Sequence, residues 1–335
     1  MDSISILAQN IKPLAEYPHH SRIHALKSFS SAALACYVKR DDELGFGITG
    51  SKLRKYLSLI PYLKEQNIDE AILIGGAYSN NITSLIQLLI ENNIRPTLFL
   101  LGNESYKVIG NLLVTKLFVT SDSMHWVSRK DWPKVHEIAK TYADKQRNAS
   151  TYIIPEGALM PEALPGSLTL ALDILINEQE HQIHFDHIFI DAGTGLTAIS
   201  LILANCWLNK TTQIHVLLLA DNAQEFIKKL QFFHEYFEQI VSAKVTLNNN
   251  YQLYIPENNP SFGSSSSSVY QAIFRIARAE GFLTDPIYSA KLFIEVERII
   301  KINRLTGNAL IIHSGGCLTL MGFQEQMFKQ LKSHL

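Results

Sequence analysis

Cysteine is scarce in this chain: Cys36, Cys206 and Cys317 are the only three in 335 residues. They are too few and too scattered for a disulfide framework or a zinc site, so no metal is expected and a reducing cytoplasm suits them. An excess of charge of either sign is also missing, since 30 Lys and Arg face 31 Asp and Glu. Without a basic field the chain has no grip for nucleic acid or an anionic membrane, which points to small-molecule work. No run of about 18 apolar residues exists, so no membrane span is expected. The opening MDSISILAQNIKPLAEY has neither a basic head nor a continuous apolar core, so a signal peptide is not expected. An internal repeat is lacking too.

What is present is apolar and alternating. Hydrophobic residues make up 47% and charged residues 18%, enough for a sizeable core. AILIG (71–75), TLFLL (97–101), YIIP (152–155), HIFID (187–191), IHVLLL (214–219) and LIIH (310–313) read as buried strands. Amphipathic helical patterns such as 80–93 and 167–180 lie between them. This alternation predicts an α/β fold of open parallel sheets with helices on both faces. The run GSSSSS (263–268) precedes a helical pattern over 269–281, where Ser267 or Ser268 can act as the cap; a linker is the other reading. Pro61 falls inside the helix that begins at Lys52, so a kink or break is expected near residue 57.

Ligands of open parallel sheets bind beyond the carboxyl ends of the strands, and three such ends carry unusual residues. AILIG runs into GAYSNN, where Ser79, Asn80 and Asn81 open a helix whose free N–H groups suit a carboxylate; plain helix caps are the alternative. HIFID runs into AGTGLTA, where Gly193 and Gly195 allow close backbone approach and Thr194 and Thr197 add hydroxyls. That is a phosphate cradle. Gly193, Gly195 and Ala198 also fit G-x-G-x-x-A, with Asp221 as a ribose ligand, but Asp221 lies later than the roughly 20 residues a dinucleotide site expects. LIIH runs into SGGC, where Ser314 either caps a helix or faces a heteroaromatic ring. Lys52 follows Gly50–Ser51 at a helix start, where the macrodipole disfavours a cation.

The segments KRDDELGFGITGSKLRK (39–55), ILIGGAYSNN (72–81), IIPEGA (153–158), AGTGLT (192–197), TDPIYSAK (284–291) and IIHSGG (311–316) occur in a familiar order. Together they resemble the 1-aminocyclopropane-1-carboxylate (ACC) deaminase/D-cysteine desulfhydrase family, pyridoxal-phosphate enzymes of the tryptophan synthase β fold. The resemblance covers nearly the whole chain. It implies that Lys52 binds pyridoxal 5'-phosphate covalently and later moves the α-proton, which makes a lysine at a helix mouth tolerable. It also implies that Ser79 is the active-site serine and that Asn80 lies near the ring hydroxyl. Gly193, Thr194, Gly195, Leu196 and Thr197 match the phosphate loop, Tyr288 a tyrosine over the substrate, and Ser314 the threonine at the pyridine nitrogen.

Departures from the family pattern include Ser51 for Asn, Tyr78 for Gln, and Ser289 where the deaminase branch has a carboxylate. The expected fold is therefore two α/β domains, 1–54 with 165–335 and an inserted 55–164, with the cofactor in the cleft between them. The expected activity is α,β-elimination on a small amino acid, D-cysteine or a β-substituted alanine, by a cytoplasmic homodimer. A hydroxyl at the pyridine nitrogen is expected to leave the ring without a full positive charge. ACC deamination and cofactor binding without turnover are the alternatives.

Overall fold

The computed structural model describes residues 2–12, 14–146, 149–257 and 263–332. Within them, ten strands form two sheets: β1 (Ile23–Ala25), β2 (Leu34–Lys39), β3 (Glu70–Gly76), β4 (Arg95–Leu101), β5 (Met124–Val127), β6 (Thr151–Ile154), β7 (His187–Ala192), β8 (Gln213–Leu218), β9 (Tyr251–Tyr254) and β10 (Gly307–Ile312). The larger sheet has the order β1-β2-β10-β7-β8-β9 and the smaller the order β5-β4-β3-β6. Their pairings are parallel except that of β1 with β2, an antiparallel edge on an otherwise parallel sheet. The whole smaller sheet is drawn from the chain between β2 and β7, two strands of the larger one.

Alternation along each central strand feeds two cores. In β7, Ile188, Ile190 and Ala192 join Ile199, Ile202, Phe226 and Phe233 on one face. Phe189 points the other way, with Ile311 and Leu217, onto Leu292, Phe293, Val296 and Ile299. Helices therefore cover both faces, as the apolar runs predict. The smaller sheet repeats this, with Ile72, Ile74 and Phe99 packed on Val135 and Ala139. Its other face, through Leu73, Leu98 and Leu100, meets Leu85 and Leu89 within a core continuous with the larger sheet.

Two local expectations are corrected. The helix Lys52–Glu65 runs through Pro61 without a break. Proline leaves the Leu57 carbonyl without its helical donor, but the Ala15 N–H supplies one at 2.9 Å. A segment distant in sequence thus repairs the ladder. The serine run caps differently as well: the helix Ser267–Glu280 has Ser266 as its N-cap residue, with no side-chain cap bond. Ser267 lies inside the helix, and its hydroxyl donates instead to Gln330 at 2.8 Å.

Candidate active site

The turn that delivers Lys52 is locked by buried charge. Arg54 grips both oxygens of Asp41 at 2.8 and 2.7 Å and reaches Asp173 at 2.6 Å. Arg40 holds Asp42 through two bonds of 2.8 Å, and the Lys39 ammonium donates to the Ser21 carbonyl at 2.6 Å. These are the residues of the K-R-D-D segment, and their work is positional. Gly50 has φ +56, and a Cβ there would lie 2.3 Å from the Ser314 carbonyl oxygen, so only glycine fits this crossing. The Ser51 N–H donates to that same oxygen at 3.0 Å. The start of the Lys52 helix is in this way pinned to the end of β10.

Lys52 is the first residue of its helix, and its ammonium lies 5.7 Å from the centre of the Tyr288 ring. Burial holds its pKa below that of an ordinary lysine, while Asp191 and Asp285 oppose the shift. Lys55 follows just under one turn later and is buried. Burial, with the nearby Lys52 charge, pushes it down to about 7. Its ammonium donates to the Gly157 carbonyl at 3.0 Å.

The glycine loop after β7 stands opposite. Gly195, at φ +97, is the N-cap of the helix Leu196–Trp207, and the first intrahelical donor is Ile199 N–H, bonded to the Gly195 carbonyl at 2.9 Å. The N–H groups of Leu196, Thr197 and Ala198 precede it at the positive end of the macrodipole. A Cβ on Gly157 would lie 2.4 Å from Thr194 Oγ1, which joins this loop to the Lys55 contact. A Cβ on Gly193 would lie 3.2 Å from the Tyr288 ring. Lys229 donates to the Thr194 carbonyl at 3.4 Å and pairs with Asp221. Asp221 is thus engaged by a lysine, which argues against its use as a ribose ligand.

From the smaller sheet, the Ser79 hydroxyl accepts from the N–H groups of Asn81 and Ile82 at 3.2 and 3.4 Å, the cap geometry foreseen as the plain reading. Asn80 Oδ1 accepts from Asn111 at 2.6 Å and from Thr319 at 2.9 Å. Those bonds orient its Nδ2 as the remaining donor, 3.3 Å from where a Gly316 Cβ would stand. Asp285 spends both oxygens on the start of the helix Ser289–Asn303. Oδ1 accepts from the N–H groups of Ile287 and Tyr288, and Oδ2 from the N–H and hydroxyl of Ser289, at 2.7–3.0 Å. Ser289 is therefore tied into a cap and is fully buried. Ser314 does not cap the helix that follows it, whose N-cap is Gly316.

Lys52, Tyr288, Gly193, Thr194, Asn80 and Ser314 thus converge at the carboxyl ends of β3, β7 and β10. Sequence reasoning passed over Lys55, Lys229, Asp191 and Asp285. Lys55 was visible as the last residue of the S-K-L-R-K run, and Asp191 as the one charged residue in the apolar strand HIFID. The donor set fits an anionic, ring-bearing cofactor. Two ammonium groups, Lys52 and Lys55, share a buried space beside an open helix N-terminus, and the Ser51 hydroxyl is buried there without a partner among the described residues.

No family model matches the chain. Searches of known proteins and structures are more telling. The bifunctional D-cysteine desulfhydrase/ACC deaminase of Arabidopsis thaliana, a mitochondrial protein, is 25% identical over 311 residues, which is 87% of this chain and 74% of the plant protein. The ACC deaminase of Bradyrhizobium sp. ORS 278 is 24% identical over 86% of this chain and 88% of its own length. The crystal structure of an ACC deaminase homologue superposes with a TM-score of 0.86 at 23% identity, covering 98% of this chain and 99% of that one. The chain is a relative of the ACC deaminase/D-cysteine desulfhydrase family. Its fold is the tryptophan synthase β-like fold of pyridoxal-phosphate enzymes. A bacterial-type threonine deaminase, from T.th., shares that fold at a TM-score of 0.65 and 14% identity, covering 93% of this chain and 97% of its own. Among the described residues, no helix is long and apolar enough to cross a membrane.

Proposed function

We propose that this protein is a pyridoxal-phosphate-dependent lyase that eliminates the β-substituent of a small amino acid, D-cysteine or a β-substituted alanine, giving pyruvate and ammonia. The observation that carries the reading is the Lys52 ammonium, held at lowered pKa beneath the Tyr288 ring and beside the glycine loop. The cofactor, when bound, supplies the electron sink. Lys52 would hold it. The N–H groups and hydroxyls of Gly193, Thr194, Gly195, Leu196 and Thr197, with Lys55, would bind its phosphate. Asn80 Nδ2 would meet the ring hydroxyl and Ser314 the ring nitrogen.

The protein's own groups then act on the substrate. The Ser79 hydroxyl uses its lone pairs on the cap, which leaves its proton to donate to the substrate carboxylate. Lys52 removes the α-proton, since a lysine of lowered pKa is a competent base near neutrality. The leaving group departs from the β-carbon with its bonding electrons, and water releases pyruvate and ammonia. Tyr288 covers the reacting face and excludes solvent. Ring-opening deamination of ACC is disfavoured, because Ser289 is neither a carboxylate nor free of the Asp285 cap. Division into a larger domain of 1–54 with 165–335 and an inserted 55–164, a homodimeric state and a cytoplasmic location belong to the same proposal.

An absorption spectrum of the purified protein with added pyridoxal phosphate tests it. A visible band that borohydride removes is expected, and Lys52→Ala should lack the reducible adduct. Release of pyruvate from D-cysteine or β-chloroalanine should accompany the band. Retention of a reducible adduct by Lys52→Ala would move the attachment elsewhere. Silence toward every D- and L-amino acid, with the band intact, would favour a cofactor-binding protein without turnover.

A further inference from the structure

Two carboxylates neighbour Lys52, and the structure treats them differently. Asp285 is satisfied by four donors at the start of the Ser289 helix. Asp191, the penultimate residue of β7, has a buried Oδ1 with no hydrogen-bond partner among the described residues. An orphan oxygen of this kind costs roughly 1–3 kcal/mol, and more when charged, unless something occupies it in the working state.

The sheet brings Asp191 to Ser314. β10 runs parallel to β7 with Ile311 opposite Phe189, so continuing that register past the strand ends sets His313 level with Asp191 and Ser314 next to it. His313 cannot serve as the partner. Its Nε2 faces the Leu283 carbonyl at 2.7 Å, and its Nδ1 accepts from the Gly315 N–H at 3.3 Å. The Ser314 backbone is fixed by its carbonyl, which accepts from the Ser51 N–H at 3.0 Å, but its hydroxyl can still turn. Burial raises the Asp191 pKa, and the Ser314 hydroxyl and Lys52 pull it back, although Ser314 and Asp191 stop short of a well-formed bond.

We propose that Asp191 is a positioning residue that sets the direction of the Ser314 hydroxyl, and through it the protonation of the cofactor's ring nitrogen. The inference rests on the function proposed above, in which Ser314 faces that nitrogen. A serine hydroxyl has one proton and two lone pairs. Beside an ionised Asp191 the proton points to the carboxylate, which leaves a lone pair toward the ring, and an acceptor there favours a ring nitrogen that carries a proton. Without the carboxylate the same hydroxyl donates to an unprotonated nitrogen. This reverses the expectation drawn from the hydroxyl alone, and it gives the cofactor a stronger electron sink. Asp191 works through Ser314 and need not touch the ring.

The test is the ¹⁵N NMR signal of ring-labelled pyridoxal phosphate bound to the full-length protein. In the wild type the signal should sit at the protonated position at neutral pH. Asp191→Asn keeps the size of the side chain and removes its charge, so it should move the signal to the unprotonated position while a borohydride-reducible adduct persists. Ser314→Ala removes the bridge and should move the signal in the same direction, a second route if Asp191→Asn folds poorly. Asp191→Glu should return it at least part of the way. An unprotonated signal in the wild type, or the same signal in wild type, Asp191→Asn and Ser314→Ala, overturns the inference and leaves the proposed function standing. Failure of the wild-type protein to bind the labelled cofactor overturns the proposed function, and the inference with it.

Discussion

Replacing Lys55 by methionine asks what a buried ammonium costs this fold. Methionine keeps the length and apolar stem of the side chain and removes the charge. In the protein without cofactor the Lys55 pKa is about 7 against an ordinary 10.5. Below pH 7 both the folded and the unfolded chain carry the proton, and the folded chain bears the whole charging cost, on the order of 5 kcal/mol. Between pH 7 and 10.5 the unfolded chain keeps a proton that the folded chain has shed. Stability must then rise with pH, by at most about 1.4 kcal/mol per unit. Urea denaturation of both apo-proteins at pH 7 and 9.5 reads this directly. The wild type should gain about 3 kcal/mol relative to Lys55→Met across that interval. Other titrating groups are common to both proteins and cancel in the difference. A bound phosphate should reverse the effect by restoring the proton, so cofactor binding at pH 8.5 should take up protons and weaken at least tenfold in Lys55→Met. Parallel stability profiles, with a difference constant to about 0.5 kcal/mol, would refute the reasoning, because Lys55 would then not be titrating in a buried site.

Two further substitutions probe the frame around Lys52. Gly50→Ala should destabilise the fold by about 2 kcal/mol or more and weaken cofactor binding at least tenfold, since its Cβ would meet the Ser314 carbonyl oxygen at 2.3 Å in a left-handed conformation; unchanged melting and affinity would sink that account. Arg54→Met should cost roughly 3–5 kcal/mol in urea denaturation, because it strands the buried Asp41 and Asp173. Adding Asp41→Asn to it should recover part of the loss, and strict additivity of the two changes would show that the pair is not coupled.

The strands were legible because burial on both faces leaves a continuous apolar run, and each of the six runs named from sequence is a strand of the structure. β1, β5 and β9 were not, since strands of three or four residues at or near sheet edges carry too little pattern to stand out. Pro61 shows the limit of local rules. Its penalty is real, but the donor that offsets it comes from Ala15, which no window around Pro61 contains. The serine run shows it again, because several adjacent serines offer equally good caps and only packing selects among them.

Sequence by itself determined the α/β alternation, the glycine loop at 193–197, and a lysine held at a helix start where propensity would not put one. Those features are local, because periodicity, turn chemistry and helix polarity act over a few residues. Tertiary structure alone decided what the charges do. Asp41, Asp173 and Arg54 are far apart in the chain, yet they form one buried network that aims Lys52. Asp285 is a helix cap and Asp191 an unpaired carboxylate, although both are single aspartates in apolar surroundings. The difference lies in which donors the fold brings within about 3 Å, and hydrogen bonds and charge in a low-dielectric interior depend on that distance far more than on order along the chain.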